Sequence, residues 1–150
     1  MSTAKYAHEM GVGDCYAPLE FTVTPSMNEL FLYTIQDYHP RYWRETEEGA
    51  PIVHPVLLLQ MSPRTRSPSW NLAPGMGSVL GREHTEFLAP GRVGHTFRVE
   101  WRVLEVYKKR GRPYHNTETL IHDHHGTAIM RRQLHSTFFQ RDGKSAKEQR

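Results

Sequence analysis

The sequence predicts an α+β domain in which an antiparallel sheet wraps around one central buried helix. Three features carry that expectation: the run PIVHPVLLLQM at 51–61, apolar nearly all round; the two-residue alternation of FRVEWRV at 97–103; and the turn-forming segments KKRGRP and DHHG that return the chain twice afterwards. A helix apolar on every side must be enclosed by other elements. Long alternating strands have one face to bury, and strands joined by tight turns run antiparallel.

Taken in order, the first half of the chain reads as mostly helical. Ser26 followed three residues later by Glu29 has the form of a capping box, and Leu30, Phe31, Thr34 and Ile35 lean to one face. Together they predict a helix from about Met27 to Asp37. His39 and Pro40 read as a turn. The helix near His54 to Met61 carries Pro55 in its first turn, where a missing N–H costs nothing. Residues 62–78, with three prolines, two glycines and four serines, read as a long loop, a kind of segment that often carries function.

The second half reads as strands. Phe97, Val99, Trp101 and Val103 point one way, and Arg98, Glu100 and Arg102 the other. Lys108 to Pro113 then turns the chain. Tyr114 to His122 returns with Thr117, Thr119 and Ile121 on one face. A second turn at DHHG leads into Thr127 to Phe139, where Ile129, Arg131, Gln133 and His135 alternate against Ala128, Met130, Leu134 and Phe138. The last residues, RDGKSAKEQR, are almost wholly polar, which predicts one domain over 1–140 and a solvated tail over 141–150.

Composition narrows the function classes. A chain of 150 residues fits one domain. With 37% hydrophobic residues and a mean hydropathy of -0.66, no apolar run approaches the roughly 18 residues of a spanning helix, so no membrane partner is expected. The start, MSTAKYAHEM, lacks the apolar stretch of a secretory signal. A single cysteine, Cys15, leaves no internal disulfide framework and points to a reducing, cytoplasmic compartment. A net charge of +3 is too small to argue for nucleic acid and is compatible with an anionic small ligand. Ten histidines raise both metal binding and acid–base chemistry.

Four segments, VGD at 12–14, QDYHPRYW at 36–43, PIVHPVLLL at 51–59 and TEFLAPGRVGHTFRVEWRVLEV at 85–106, together resemble a MaoC-like hot-dog domain over about residues 11–139. The resemblance implies the hot-dog fold and the activity of an (R)-specific enoyl-CoA hydratase or acyl dehydratase, a hydro-lyase. It implies an acyl-CoA or acyl carrier protein thioester as ligand, no cofactor, and a homodimer, or a heteromer with a related hot-dog subunit, with the acyl tunnel at the interface. The family's catalytic segment has the form D-x-N-P-x-H. On this chain Asp37 and Pro40 match, His39 stands where the Asn would be, and Tyr42 where the His would be. The family's second motif ends in His-Gly, whose Gly N–H helps receive the thioester carbonyl. Here the pair is His54-Pro55, and proline has no N–H to donate.

Magnitudes make both departures matter. Positioned acid–base groups are worth about 10² to 10⁴ in rate, and one oxyanion donor about 10² to 10³. A phenol is a poor base near neutral pH. The expected remedy is a rearranged acid–base set of Asp37, His39 and Tyr42, since residues three apart share a helical face. His54, Pro55 and Ser62 would then contact substrate, Ser62 lying one place from a serine that touches substrate in the family. Three functions stay open: an altered hydratase or dehydratase; a catalytically degenerate acyl-binding or partner subunit whose mate supplies the missing His; and DNA binding through the RGRP tip.

Each candidate also has a plainer role. His54 could simply begin its helix, and Tyr42 and Trp43 could line a pocket. His122 and His124 fall on one side of a strand, but two imidazoles without a third ligand make a poor metal site, and HDHHG is good turn sequence. No metal is expected. His95 stands where the family has an Asp and reads as strand entry. RGRP is the core of a minor-groove hook, but between two patterned strands it reads as a hairpin tip, so no nucleic-acid partner is expected.

Overall fold

The computed structural model describes residues 5–141, so the tail expected over 141–150 lies almost wholly outside the described residues. Five strands form one sheet: β1 (Cys15–Thr22), β2 (Met76–Phe87), β3 (Thr96–Lys109), β4 (Arg112–Asp123) and β5 (Ala128–Gln140). Their order is β1-β3-β4-β5-β2, with every neighbouring pair antiparallel. Helices α1 (Pro25–Ile35), α2 (Pro40–Trp43) and α3 (Pro55–Met61) precede β2. No helix among the described residues is long and apolar enough to cross a membrane.

The core forms where the alternation of β3 to β5 meets α3. Phe97, Val99, Trp101 and Val103 are buried, as are Thr117, Thr119 and Ile121 on β4 and Met130, Leu134 and Phe138 on β5. Leu57 and Leu58 of α3 join the same cluster. The Trp101 indole donates to the Ser62 carbonyl at the end of α3 (2.7 Å), which fixes the helix across the sheet. Arg132, also facing inward, donates to the Leu59 carbonyl (3.1 Å) and the Ser62 hydroxyl (2.6 Å) and pairs with Glu83 of β2 (2.8 Å). Its guanidinium thus adds a donor to a last-turn carbonyl at the helix end, where a positive charge is favoured.

Both expected hairpins form. Lys109 pairs with Arg112 across a two-residue turn in which Arg110 (φ 51°) and Gly111 (φ 74°) are left-handed. The RGRP tip is therefore a closed hairpin rather than an extended groove-binding strand. At the second turn the Asp123 carboxylate accepts the N–H groups of His125 and Thr127.

Several local expectations need correction. The cap of α1 is Thr24, whose Oγ1 accepts the Met27 N–H (3.2 Å), and not Ser26; Pro25 takes the first helical position, where its lack of an N–H is harmless. The inward face of α1 carries Asn28 and Leu32, while Leu30, Tyr33 and Ile35 are exposed. His39 and Pro40 begin the short helix α2 instead of a plain turn. Helix α3 is not enclosed all round within one chain, since Val56 is exposed. The strands β1 and β2 were not expected. Both are sheet edges with a register shift, at 16–19 and 80–82, and neither has a full alternation to betray it.

Candidate functional site

Asp37 is positioned by the ending of α1. Gln36 takes a left-handed conformation (φ 57°), and the Asp37 N–H closes on the Leu32 carbonyl (3.1 Å). The Trp43 indole donates to the Asp37 carbonyl (2.8 Å), and buried Asn28 donates to the Tyr42 carbonyl (2.8 Å), so α1 and α2 are laced together. The Asp37 carboxylate then meets two groups: Oδ1 accepts the backbone N–H of His39 (2.9 Å), and Oδ2 lies 3.2 Å from Nε2 of His54.

The imidazole on Asp37 is therefore that of His54 and not that of His39. His39 caps α2: its Nδ1 accepts from the N–H and Nε of Arg41, both at 3.3 Å. His54 caps α3, its Nδ1 accepting the Val56 N–H (3.1 Å). An Nδ1 that accepts leaves the proton on Nε2, where it is donated to Asp37. Both ring nitrogens of His54 are thus engaged. Tyr42 packs its ring on His54, with centroids 4.8 Å apart, and its ring lies 6.1 Å from that of His39.

A cleft of about 330 Å³ opens beside this group. Arg41, Tyr42, Pro55, Phe87, Leu88 and Pro90 are among the residues that line it. Pro55 occupies the first position of α3, the Val56 N–H is committed to His54 Nδ1, and the Leu57 N–H to the His54 carbonyl (2.9 Å). None of these three positions offers the cleft a free backbone donor. Ser62 is apart from it: the side chain is wholly buried, donates to the Leu59 carbonyl (2.8 Å) and accepts from Arg132.

Asp37, Tyr42, His54 and Pro55 are brought together, whereas the His39 imidazole is spent on a cap and Ser62 sits in the core behind α3. The sequence points to both Asp37 and His54 but not to their pairing; a histidine immediately before Pro signals a helix cap, and no signal along the chain names the carboxylate seventeen residues away.

No family profile matches the chain, and no curated protein matches it. Solved structures do. A MaoC-like dehydratase from Rhodospirillum rubrum superposes with a TM-score of 0.75 at 16% identity, covering 91% of this chain and 98% of that one. The (R)-hydratase PhaJ1 from Pseudomonas aeruginosa gives 0.69 at 17% identity, covering 88% of each chain. The HadBC complex of Mycobacterium tuberculosis, a (3R)-hydroxyacyl-ACP dehydratase, gives 0.62 at 16% identity, covering 85% of this chain and 96% of that one. The chain has the hot-dog fold of the MaoC-like hydratases and dehydratases.

Proposed function

We propose that this chain binds acyl thioesters in the cleft beside Tyr42 and Pro55 as the non-hydrating subunit of a hydratase or dehydratase, a related hot-dog subunit supplying the catalytic His. The observation that carries this reading is that the His54 imidazole and the first N–H groups of α3 are already committed. Pro55 has no N–H, the next two N–H groups are bonded within the cap, and both His54 nitrogens are engaged. A hydratase needs a free base for water and a donor for the thioester oxygen. His54 offers no free nitrogen for the first role and positions 55–57 no free N–H for the second, while the cleft itself persists, lined by apolar side chains and Arg41, a cation suited to an anionic carrier. That HadBC is a dehydratase complex agrees with a two-subunit arrangement.

A second reading keeps the chemistry in this chain, with Asp37, His39 and Tyr42 as a rearranged set. It is favoured by Tyr42, which both lines the cleft and touches the imidazole bonded to Asp37.

One experiment separates them. The purified chain is titrated with crotonyl-CoA by calorimetry, and hydration is followed as loss of enoyl-thioester absorbance. We expect binding without turnover. The double variant Tyr42→His, Pro55→Gly should raise hydration by about 10² or more, because it restores a base and a carbonyl donor together. Turnover by the wild type that Asp37→Asn abolishes would establish the second reading instead. Absence of acyl-CoA binding would overturn both.

A further inference from the structure

We propose that His95, His124 and His125 form a binding site for one late first-row divalent metal ion, of which Zn²⁺ is the reference case. The sequence offers His122 and His124 as two imidazoles on one side of a strand without a third ligand, and the structure groups His124 with His125 instead. The fold supplies the third ligand, His95, from the loop before β3: one ligand atom from each of the three imidazoles lies within 4.8 Å of the others. Ring centroids of His95 are 4.7 Å from His124 and 5.7 Å from His125, and those of the latter two are 4.0 Å apart. His122 is not part of the cluster.

The backbone that presents these rings is fixed. In the β4–β5 turn the Gly126 N–H bonds the Asp123 carbonyl (3.0 Å) and the Asp123 N–H the Thr127 carbonyl (3.0 Å), with Gly126 at φ 81°. Asp123 Oδ1 clamps the N–H groups of His125 (2.9 Å) and Thr127 (3.0 Å). His95 is held by its N–H to the Arg92 carbonyl (3.2 Å) and by its neighbour Gly94 to Val23 (2.7 Å). Ligand nitrogens on tetrahedral zinc, at about 2.0–2.1 Å from the metal, sit about 3.3–3.4 Å from one another. That spacing asks for rotamer adjustment of His124 and His125, both exposed turn side chains free to change rotamer.

A second observation points the same way. His95 Nδ1 is enclosed and has no hydrogen-bond partner among the described residues, yet it faces Asp123 Oδ2 at 3.9 Å. Enclosed imidazole nitrogens are normally partnered. Metal-bound histidines commonly direct their second N–H at a carboxylate, which sets the tautomer and the ring orientation. Asp123 Oδ1 is committed to the turn, so Oδ2 is the oxygen for that role, and His95 Nε2 the ligand atom. Three imidazoles select zinc, copper or nickel over magnesium or calcium, which require oxygen ligands. A fourth position remains for water or a small anion.

The test uses the full chain without a histidine tag. Zn²⁺ titration by calorimetry should show one equivalent bound, and Co²⁺ should give the visible absorption of a four-coordinate site. His95→Gln and the double variant His124→Asn, His125→Asn should each weaken binding at least tenfold. Cys15→Ser, His84→Asn and His122→Asn should leave it unchanged, with circular dichroism confirming the fold throughout. No stoichiometric Zn²⁺ binding by the wild type, or binding that survives the double substitution, would overturn the site.

Discussion

At position 54 an imidazole commits both nitrogens locally, one to a helix cap and one to a carboxylate, and so loses the free lone pair a general base requires. The same accounting at position 115 gives a prediction about stability. Burial first, then the Arg64 guanidinium and His8, push the His115 imidazole down to about 4. Between that value and the ordinary one near 6.5, the unfolded chain binds a proton that the folded chain refuses. Stability contributed by neutral His115 is therefore full above about pH 6.5 and is lost as pH falls toward 4, by about 3 kcal/mol for this one group. We expect the thermal midpoint to drop from pH 7.5 to pH 4.5 markedly less in His115→Leu than in the wild type. Equal drops would show that other groups govern the acid sensitivity.

Among the elements, α3 is tied at both ends to groups from elsewhere in the chain: Asp37, through the capping residue His54, at its start, and Arg132 with Glu83 at its finish. Arg132 has three separate partners, so removing it takes a donor from the Leu59 carbonyl and from the buried Ser62 hydroxyl and leaves Glu83 without its cation. Arg132→Met should cost about 2–4 kcal/mol in urea denaturation, below the cost of breaking a wholly buried pair because Glu83 is partly exposed. Arg132→Lys should not recover it, since one ammonium cannot reproduce the planar fork. At the β3–β4 turn, Arg110 bears the strain of a left-handed residue that glycine or asparagine adopts more readily. Arg110→Asn should accordingly raise stability by about 0.5–1 kcal/mol. Loss of salt-dependent DNA binding in the same variant would revive the RGRP reading, and we expect no such binding to lose.

For the molecule as a whole, the open question is what covers the β2 edge. It is twelve residues long and ends the sheet, and Val79, Leu80 and Phe87 on it and Leu88 just beyond are exposed. Uncovered strand edges with apolar side chains favour pairing with another chain. Pairing of this edge with a second chain is the expected outcome. The purified chain should run as a dimer in light scattering after size exclusion, and Val79→Lys with Leu80→Lys should shift it to monomer with unchanged circular dichroism. A wild-type monomer that also fails to pair with a related hot-dog subunit would overturn the assignment.

The sequence by itself determined the centre of the fold. Strands β3 to β5 are all inner strands that pack one face on the core, and a strict alternation records it at Phe97, Val99, Trp101 and Val103. Turn residues such as Gly111 and Gly126 announced the two hairpins because few other residues tolerate their left-handed conformation. Edge strands β1 and β2 left no such record: each has one neighbour and mixed burial. At the site, sequence identified Asp37, Tyr42, His54 and Pro55 but paired Asp37 with His39, two residues away. Only tertiary structure chose His54, seventeen residues on, and likewise brought His95 to His124 and His125. Hydrogen bonds depend on where helix ends and turns are placed in space, and spacing along the chain does not encode that placement.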